Sequence, residues 1–420
     1  MKLNQSDEFV GKKVLRGNYA AAYASRAARV QVVSAYPITP QTLVVEKIAE
    51  LVDSGKMNCE FIRVESEHSV MTALIGASIA GARTFTATSG QGLLYMAEPV
   101  HWAAGTRLPI VMAVASRGIA PPWNIWADFS DVISQRDSGW LISFLSSHQE
   151  IFDSVIMAYK IAENHEILLP YMLAYGGFIL SHTSKPVDLP PQELIDDFLP
   201  PLSKDGWPHI FMDPERPMMH GNLIMPNTVP GYQEFRMKIQ IAQQKALDVI
   251  KEVTLEFKKK FGRDYGNGLV QEYKCSDADF IMINYGVLAK QMEIVVDQLR
   301  DEGLKVGVLR LRTFRPFPFN EIIDAVKNAK AIGVVDRGTA FGSITGGAVS
   351  TEIMATLHLS KQTKDKLVVP FINGIGGRDV FPSQQKRQFE ILIECYEKGE
   401  LVENEEFMGT AYWTGALGFK

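Results

Sequence analysis

Three polar side chains that could take part in chemistry each follow a predicted β-strand. They are Thr39 in YPITP, Glu67 in VESEHS and Arg117 in VASRG. Open α/β sheets bind ligands at the carboxyl ends of their parallel strands, so we expect all three residues at that edge. An arginine holds a carboxylate through its planar pair of donors, and a desolvated glutamate can act as a general acid or base. The sequence therefore predicts a site that an anionic ligand could occupy.

Thr39 and Glu67 also have structural explanations. Thr39 directly precedes Pro40, and a threonine before a helix-opening proline is typical of an N-cap. Pro37 and Pro40 stiffen the loop, so capping and ligand binding by Thr39 are compatible. Glu67 follows Ser66, a predicted N-cap, so its negative charge would interact favourably with the positive end of the helix dipole. The helix after Glu67 is rich in Ala, Ser and Gly, which suggests close approach of another backbone and a pKa of Glu67 raised by desolvation.

Arg117 leaves a strand that is otherwise apolar, so its charge needs a partner. Burying it alone would cost several kcal/mol. The partner is either an anionic ligand or an internal carboxylate, and Asp128, Asp131 and Asp137 all lie close in sequence. The prolines and tryptophans that follow Arg117 are typical of a core, although they could also wall a pocket.

A turn of glycine and serine, TSGQG at 88–92, separates the predicted strand Arg83–Thr88 from the helix that follows it. It lacks the lysine of a P-loop and the full G-x-G-x-x-G spacing, so a phosphate-binding role is not indicated. The turn instead favours either backbone approach to a flat ligand or a purely structural tight turn. The glycine-rich turns at 336–338 and 372–379 and the RPFP stretch at 315–318 are interpreted as structural or domain contacts.

Apolar, β-branched runs alternate with helical patterns along most of the chain, which predicts α/β domains with parallel sheets and crossover helices. In the first half the predicted strands are Val30–Tyr36, Cys59–Val64, Arg83–Thr88, Leu108–Ser116 and Ile167–Tyr175. The predicted helices between them are Pro40–Val52, Glu67–Ala80, Leu93–Ala104 and Ile151–Asn164. Residues 182–235 are rich in proline, Asp and Met and are expected to form an extended surface loop. A long helix, Gln233–Lys260, then leads to a second α/β pattern from about residue 277.

The composition excludes several classes of protein. The chain has 420 residues, 46% of them apolar and 22% charged, which is typical of a globular protein with two or three domains. A net charge of −5 argues against a nucleic-acid partner. The longest uncharged run, 167–181, is too short to span a membrane. The N-terminus has no apolar core of a secretory signal, and three widely spaced cysteines fit a reducing cytoplasm, so a cytoplasmic location is expected.

Ten ordered motifs together resemble one family, the alpha subunit of pyruvate:ferredoxin oxidoreductase and its 2-oxoacid:ferredoxin oxidoreductase relatives. The motifs are YPITP (36–40), VESEHS (64–69), TATS-x-QGL (86–93), LPIVM (108–112), NIW-x-D (124–128), SQRDSGW (134–140), FMDPERP (211–217), FGR (261–263), RPFP (315–318) and GGRDV (376–380). The resemblance implies a thiamine-enzyme pyrimidine-binding domain at 1–245 that includes the 182–235 loop, a linking helix at 246–276, and a smaller transketolase C-terminal-like α/β domain at 277–420.

The resemblance also implies roles for individual residues. Glu67 matches the glutamate that activates thiamine diphosphate, while Thr39 and Arg117 match residues that hold the 2-oxo acid. The turn residues Ser89, Gln91 and Gly92 are expected to contact the cofactor. The expected lining of the substrate pocket is Ile38, Ser116 and Trp123.

Motifs that the chain lacks imply partner subunits. There is no G-D-G motif for Mg²⁺ and diphosphate, and no set of cysteines for an iron–sulfur cluster. Relatives of this kind place both on beta-, gamma- and delta-type subunits, use CoA as co-substrate, and reduce ferredoxin or another acceptor. A self-sufficient thiamine decarboxylase is therefore disfavoured, whereas a non-catalytic scaffold subunit remains an alternative.

The sequence departs from the commonest family pattern next to Arg117. Ser116 and the stretch PPW at 121–123 replace the residues that close relatives usually carry there. Pyruvate, the commonest substrate in the family, is therefore one expectation. A larger or aromatic 2-oxo acid such as phenylglyoxylate is the other.

Overall fold

A computed structural model describes residues 8–202, 212–215, 217 and 223–417, so part of the 182–235 stretch and of the FMDPERP motif lies outside the described residues. In chain order the strands are β1 (Gly11–Arg16), β2 (Val32–Ala35), β3 (Glu60–Arg63), β4 (Thr84–Thr88), β5 (Val111–Ser116), β6 (Leu141–Phe144), β7 (Tyr171–Gly176), β8 (Ser184–Leu189), β9 (Val270–Tyr273), β10 (Phe280–Tyr285), β11 (Val306–Leu311), β12 (Thr313–Arg315), β13 (Ala331–Asp336), β14 (Leu367–Ile372), β15 (Phe407–Met408) and β16 (Ala411–Trp413).

The helices complete the α/β pattern. They are α1 (Gly17–Ala27), α2 (Thr42–Asp53), α3 (Glu67–Ile79), α4 (Gly90–Tyr95), α5 (Ala97–Gly105), α6 (Ser130–Ile133), α7 (His148–Ala162), α8 (Gln192–Phe198), α9 (Tyr232–Phe261), α10 (Gly286–Asp301), α11 (Phe319–Val326), α12 (Ala348–Leu359) and α13 (Pro382–Lys398). Among the described helices, none combines the length and the apolar character needed to cross a membrane.

The first large sheet has seven strands in the order β12-β6-β7-β5-β4-β2-β3. All neighbouring pairs run parallel except β12 with β6. The central strands β5 and β7 are apolar and buried along their whole length, as expected for a parallel sheet covered by helices on both faces. The predicted α/β class with parallel sheets is confirmed, and this sheet carries the candidate site.

The second large sheet has the order β15-β16-β14-β13-β10-β11-β9. Its inner strands β14, β13, β10 and β11 are parallel, while β9 and β15 are antiparallel at its two edges. Strands β10 and β13, FIMINY and AIGVVD, are completely buried. A separate antiparallel pair, β1 with β8, lies outside both large sheets.

The second half of the chain contributes one strand to the first sheet. Strand β12 comes from the second half of the chain but adds to the edge of the first sheet beside β6. On the neighbouring β11 and its exit, Arg310 and Arg312 form ion pairs with Glu150 of α7 at 2.7 and 2.8 Å. The two halves therefore share a buried interface, and the second half helps to fix the first sheet.

Several local expectations are corrected. Helix α2 begins at Thr42 with Gln41 at its N-cap position, so the predictions that Thr39 caps this helix and that Pro40 opens it are wrong. The predicted helix Leu93–Ala104 is two helices, α4 and α5, which break at Met96. The stretch after residue 182 contains β8 and α8 rather than only extended chain. The long helix α9 was predicted nearly correctly and ends at Gly262, whose positive φ of 71° suits a glycine.

Candidate active site

The predicted site residues gather at the carboxyl edge of the first sheet. Thr39 follows β2, Glu67 is the first residue of α3 after β3, and Arg117 follows β5. The turn at 88–92 leaves β4, which lies between β2 and β5 in the sheet. Four successive neighbours in a parallel sheet thus deliver their loops to one place.

Arg117 lies buried at the centre of this edge, with 4% of its surface exposed. Its Nη1 donates to the carbonyl oxygen of Thr39 at 2.5 Å, and its Nη2 donates to Oε1 of Gln91 at 2.5 Å. Both acceptors are neutral, and Nε has no hydrogen-bond partner. Burial lowers the pKa of Arg117, opposed by the charges of Asp131 and Glu67.

The alternative of an internal ion pair for Arg117 is wrong. Among the described residues, no carboxylate lies within ion-pair distance of its guanidinium group. The nearby Asp131 accepts a hydrogen bond from the backbone N–H of Arg117 instead, at 3.2 Å. The guanidinium charge is therefore buried among neutral acceptors.

Like Arg117, Glu67 is buried and has no charged hydrogen-bond partner among the described residues. Ser66 caps α3 by accepting a hydrogen bond from the N–H of Ser69, as predicted, and this places Glu67 in the first turn. Glu67 is 7% exposed, and none of the other described side chains makes a hydrogen bond to its carboxylate. Burial raises the pKa of Glu67, although its own backbone N–H and the charge of Arg117 oppose the rise. This direction agrees with the expectation for a general acid or base.

The turn after β4 approaches Glu67 closely because residue 92 is glycine. A Cβ atom on Gly92 would lie 2.6 Å from Oε1 of Glu67 and 2.7 Å from Oγ1 of Thr88. Oγ1 of Thr88 and Nε2 of Gln91 are buried and lack hydrogen-bond partners. The hydroxyl of Ser89 differs, because it donates to the carbonyl oxygen of Ala115 at 2.6 Å. The turn thus offers polar atoms beside Glu67, with Ser89 serving to hold the turn against β5.

The residues expected to hold the substrate or line its pocket differ in burial and in their contacts. The side chain of Thr39 is exposed, and its carbonyl oxygen contacts Arg117. Ile38 is half-buried, and its carbonyl oxygen accepts from the N–H of Gln41 at the start of α2. The hydroxyl of Ser116 is buried and has no partner. Trp123 has a side chain that is 78% exposed.

The segment around Trp123 contacts the second half of the chain. Asn124 donates to the carbonyl oxygen of Gly376 at 3.0 Å. A Cβ atom on Gly377 would overlap with Cβ of Trp126, so the two residues pack closely. A role for Trp123 in walling the substrate pocket stays a prediction.

Asp131 is a site residue whose part the sequence did not indicate. It lies on the short helix α6, is fully buried, and accepts the N–H of Gly90 at 2.9 Å as well as that of Arg117. Burial raises the pKa of Asp131 to about 7, against the effect of its backbone donors. The sequence placed Asp131 near Arg117 but gave no signal that its partners would be backbone groups of two different loops.

Metal-ligating side chains are not clustered in the part of the chain that is described. No group of three or more His, Cys, Asp or Glu residues there could hold a metal ion. Cys59, Cys275 and Cys395 are all free thiols.

Comparisons with known proteins agree with this arrangement. Two family models match: "Pyruvate flavodoxin/ferredoxin oxidoreductase, thiamine diP-bdg" over residues 23–255, and "Pyruvate:ferredoxin oxidoreductase core domain II" over residues 278–385. Ketoisovalerate oxidoreductase subunit VorA of Pyrococcus horikoshii is 46% identical over 93% of this chain and 96% of its own length. Pyruvate synthase subunit PorA of Methanothermobacter thermautotrophicus is 45% identical over 88% of this chain and 92% of its own length.

The fold is also similar to a solved structure, 2-oxoglutarate:ferredoxin oxidoreductase from Magnetococcus marinus with 2-oxoglutarate, coenzyme A and succinyl-CoA bound. The TM-score is 0.69 at 17% identity, and the match covers 91% of this chain and 65% of that chain. The resemblance drawn from the motifs is confirmed, and the chain belongs to the pyruvate:ferredoxin oxidoreductase family.

Proposed function

We propose that this chain is the alpha subunit of a thiamine-diphosphate-dependent 2-oxoacid:ferredoxin oxidoreductase. The reaction converts a 2-oxo acid and CoA into acyl-CoA and CO₂, and two electrons pass to two oxidised ferredoxins while one proton is released. The observation that carries the proposal is the buried guanidinium group of Arg117, which has only neutral acceptors at 2.5 Å. A buried cation in this state is ready to bind an anion.

The carboxylate of a 2-oxo acid is the anion that suits this position. Arg117 presents a planar pair of donors, which matches the two oxygens of a carboxylate. Ser116, the residue before Arg117, has an unpartnered hydroxyl, and Thr39 is exposed with its carbonyl oxygen in contact with Arg117, so both hydroxyls can donate to the substrate. Binding would exchange the neutral acceptors of Arg117 for a charged one.

The residues around Glu67 fit thiamine diphosphate. When bound, that coenzyme would supply a carbon nucleophile for the 2-oxo group and, in its thiazolium ring, a sink for the electron pair of the C–C bond that breaks. Glu67 would hold a proton against the aminopyrimidine ring, for which its raised pKa is suited. The space that a Cβ atom on Gly92 would fill lies directly beside this carboxylate, and Gln91 Nε2 and Thr88 Oγ1 offer unused hydrogen-bonding atoms.

Partner subunits complete the proposal. The chain has no G-D-G motif for Mg²⁺ and diphosphate and three free cysteines, so beta-, gamma- and delta-type subunits would bring the diphosphate site and the iron–sulfur clusters. On this basis the isolated chain should bind thiamine diphosphate weakly in the presence of Mg²⁺. Calorimetry on the isolated chain and on the assembled complex tests this, and tight binding by the isolated chain would contradict it.

A short aliphatic 2-oxo acid is the substrate class that we propose, with pyruvate first and ketoisovalerate second. Relatives named for both substrates are 42–46% identical to this chain, so identity alone does not separate them. The aromatic alternative, phenylglyoxylate, is disfavoured because these relatives are named for pyruvate and ketoisovalerate.

The deciding experiment uses the complex that co-purifies with this chain. Release of CO₂ from carboxyl-labelled pyruvate, ketoisovalerate and phenylglyoxylate is measured with CoA and oxidised ferredoxin. We expect CoA-dependent release from an aliphatic acid, coupled to ferredoxin reduction and lost when thiamine diphosphate is removed. Preference for phenylglyoxylate would overturn the substrate class. Full activity of a complex with Glu67→Gln would instead indicate that this chain is a scaffold.

A further inference from the structure

We infer that Asp131 is a positioning residue that fixes Arg117 and the turn at Gly90 relative to each other while leaving the Arg117 guanidinium group available to the substrate. This inference rests on the proposed function. The carboxylate of Asp131 accepts backbone N–H groups from both loops and makes no hydrogen bond to the guanidinium group of Arg117.

The geometry joins two strands through one oxygen atom. Oδ2 of Asp131 accepts the N–H of Gly90 at 2.9 Å and the N–H of Arg117 at 3.2 Å. Gly90 follows β4 and Arg117 follows β5, and these strands are parallel neighbours in the sheet. Because both donors point at one acceptor, the distance between the two loops depends on the position of Asp131.

The same contact sets the course of the Arg117 side chain. A Cβ atom on Gly90 would lie 2.5 Å from Nε of Arg117, so the side chain passes directly over the Gly90 backbone. One residue later, Gln91 receives the Nη2 donor of Arg117. Displacing Gly90 would therefore move both the surface under the guanidinium group and one of its acceptors.

The second half of the chain fixes the helix that carries Asp131. The N–H of Phe129 donates to the carbonyl oxygen of Arg337 at 2.9 Å, and Oγ of Ser130 accepts from the N–H of Thr339 at 2.9 Å. These contacts hold the start of α6 against the loop after β13. Asp131 thereby connects the loop after β13 to the residue proposed to bind the substrate carboxylate.

Asp128 offers a matched control for Asp131. It is also buried, at 4% exposure, and lies three residues earlier. Its carboxylate accepts from the N–H groups of Ser130 and Gly376 at 2.8 and 3.2 Å, neither of which belongs to the site. Asp128→Asn therefore changes a neighbouring buried carboxylate that makes no hydrogen bond to Arg117 or Gly90.

The test compares Asp131→Asn, Asp131→Ala and Asp128→Asn in the assembled complex. Binding of oxamate, an amide analogue of pyruvate, is measured by calorimetry beside KM and kcat for the preferred 2-oxo acid. Asparagine retains an acceptor but loses its charge, so we expect KM and the oxamate Kd to rise about 3- to 10-fold, and about 10- to 100-fold for alanine. We expect kcat of Asp131→Asn to stay within about threefold, because Glu67 makes no bond to Asp131.

The outcomes separate this inference from the proposed function. If Asp131→Asn changes KM and oxamate Kd no more than Asp128→Asn does, the inference is wrong and Asp131 is only structural. Should Asp131→Ala fail to assemble, the asparagine variant still decides. If the unsubstituted complex neither exchanges the thiamine C2 proton nor decarboxylates any 2-oxo acid, the proposed function fails and the inference falls with it.

Discussion

Glu67 and Glu150 are both buried glutamates in the first turn of a helix of the same domain, yet their surroundings are opposite. Glu150 receives Arg310 and Arg312 at 2.7 and 2.8 Å, together with the N–H and hydroxyl of Ser146. Burial opposes its charge, but the two guanidinium groups outweigh burial and lower the pKa of Glu150 to about 2. For Glu67 burial is the stronger effect, and its pKa is raised.

The arginines show the same contrast. Arg310 and Arg312 bind a carboxylate directly, whereas Arg117 has only a backbone carbonyl and an amide as acceptors. A buried charge that supports a fold is paired, because an unpaired one is costly. A buried charge left unpaired, at the edge where loops converge, is instead typical of a binding or catalytic site. The comparison separates charges that are paired within the fold from the two charges that we propose act in the site.

The largest effect is expected from Glu67→Gln in the assembled complex. Glutamine keeps the volume of the side chain but cannot exchange a proton, so kcat should fall by roughly 10²- to 10⁴-fold. The rate of exchange of the thiamine C2 proton, followed by NMR after acid quench, should fall with it. Glu65→Gln is the matched control, because Glu65 is exposed two residues away and should leave both rates unchanged. An undiminished exchange rate would remove Glu67 from the mechanism.

Glu150→Ala should act on stability rather than on chemistry. Removing this carboxylate leaves two buried guanidinium groups without their partner, and breaking such a pair typically costs about 3–5 kcal/mol of the free energy of unfolding. Urea denaturation of the full chain measures the loss. Glu166→Gln, which breaks the exposed pair with Lys245, should change stability by less than about 0.5 kcal/mol. Equal losses for the two variants would contradict the distinction between buried and exposed pairs.

The sequence was sufficient to predict the parts of the site that depend on local order. The positions of Glu67 and Arg117 at strand ends, the cap at Ser66 and the glycine at 92 all follow from patterns within a few residues. Parallel strands then bring their ends together without further information. The family motifs pointed to the same residues by an independent route.

Contacts between distant segments were not predictable in this way. The pairing of β12 with β6 crosses from one half of the chain to the other, and nothing in the three residues Thr313–Arg315 indicates it. Asp131 was one of three possible ion-pair partners of Arg117, yet it accepts backbone N–H groups whose direction only the folded loops define. Thr39 was expected to cap α2, but two further residues precede the helix, because the chain first turns at Ile38.

Arg117→Lys tests the unpaired arginine. Lysine keeps the charge but loses the two-pronged geometry, and a charge-assisted hydrogen bond is worth about 1.5–3 kcal/mol, so kcat/KM should fall roughly 10- to 150-fold. The loss should be similar for every 2-oxo acid, because each carries the same carboxylate. Exchange of the thiamine C2 proton without substrate should be nearly unchanged. Arg136→Lys is the control, because Arg136 is half-exposed and lies beside Asp137, and it should leave kcat/KM nearly unchanged. A variant that loses exchange but keeps its KM would show that Arg117 is structural.

The smallest effect is expected in the pH dependence of stability, where the two glutamates should have opposite signs. Glu150 has a lowered pKa, so its stabilisation is present above pH 4.5, its ordinary value, and is lost as the pH falls toward 2. Glu67 has a raised pKa, so the folded chain loses stability as the pH rises from 4.5 through the pKa of Glu67.

Glu67→Gln removes only the second contribution. The urea midpoint of this variant should therefore match that of the unsubstituted chain near pH 4 and exceed it increasingly toward pH 7, because the variant never buries an unpaired charge. Glu65→Gln, at an exposed carboxylate, should show no such divergence. Parallel curves of urea midpoint against pH for Glu67→Gln and the unsubstituted chain would mean that other groups offset the cost of burying the Glu67 charge in the folded chain. The presence or absence of ion-pair partners would then not explain the difference between Glu67 and Glu150.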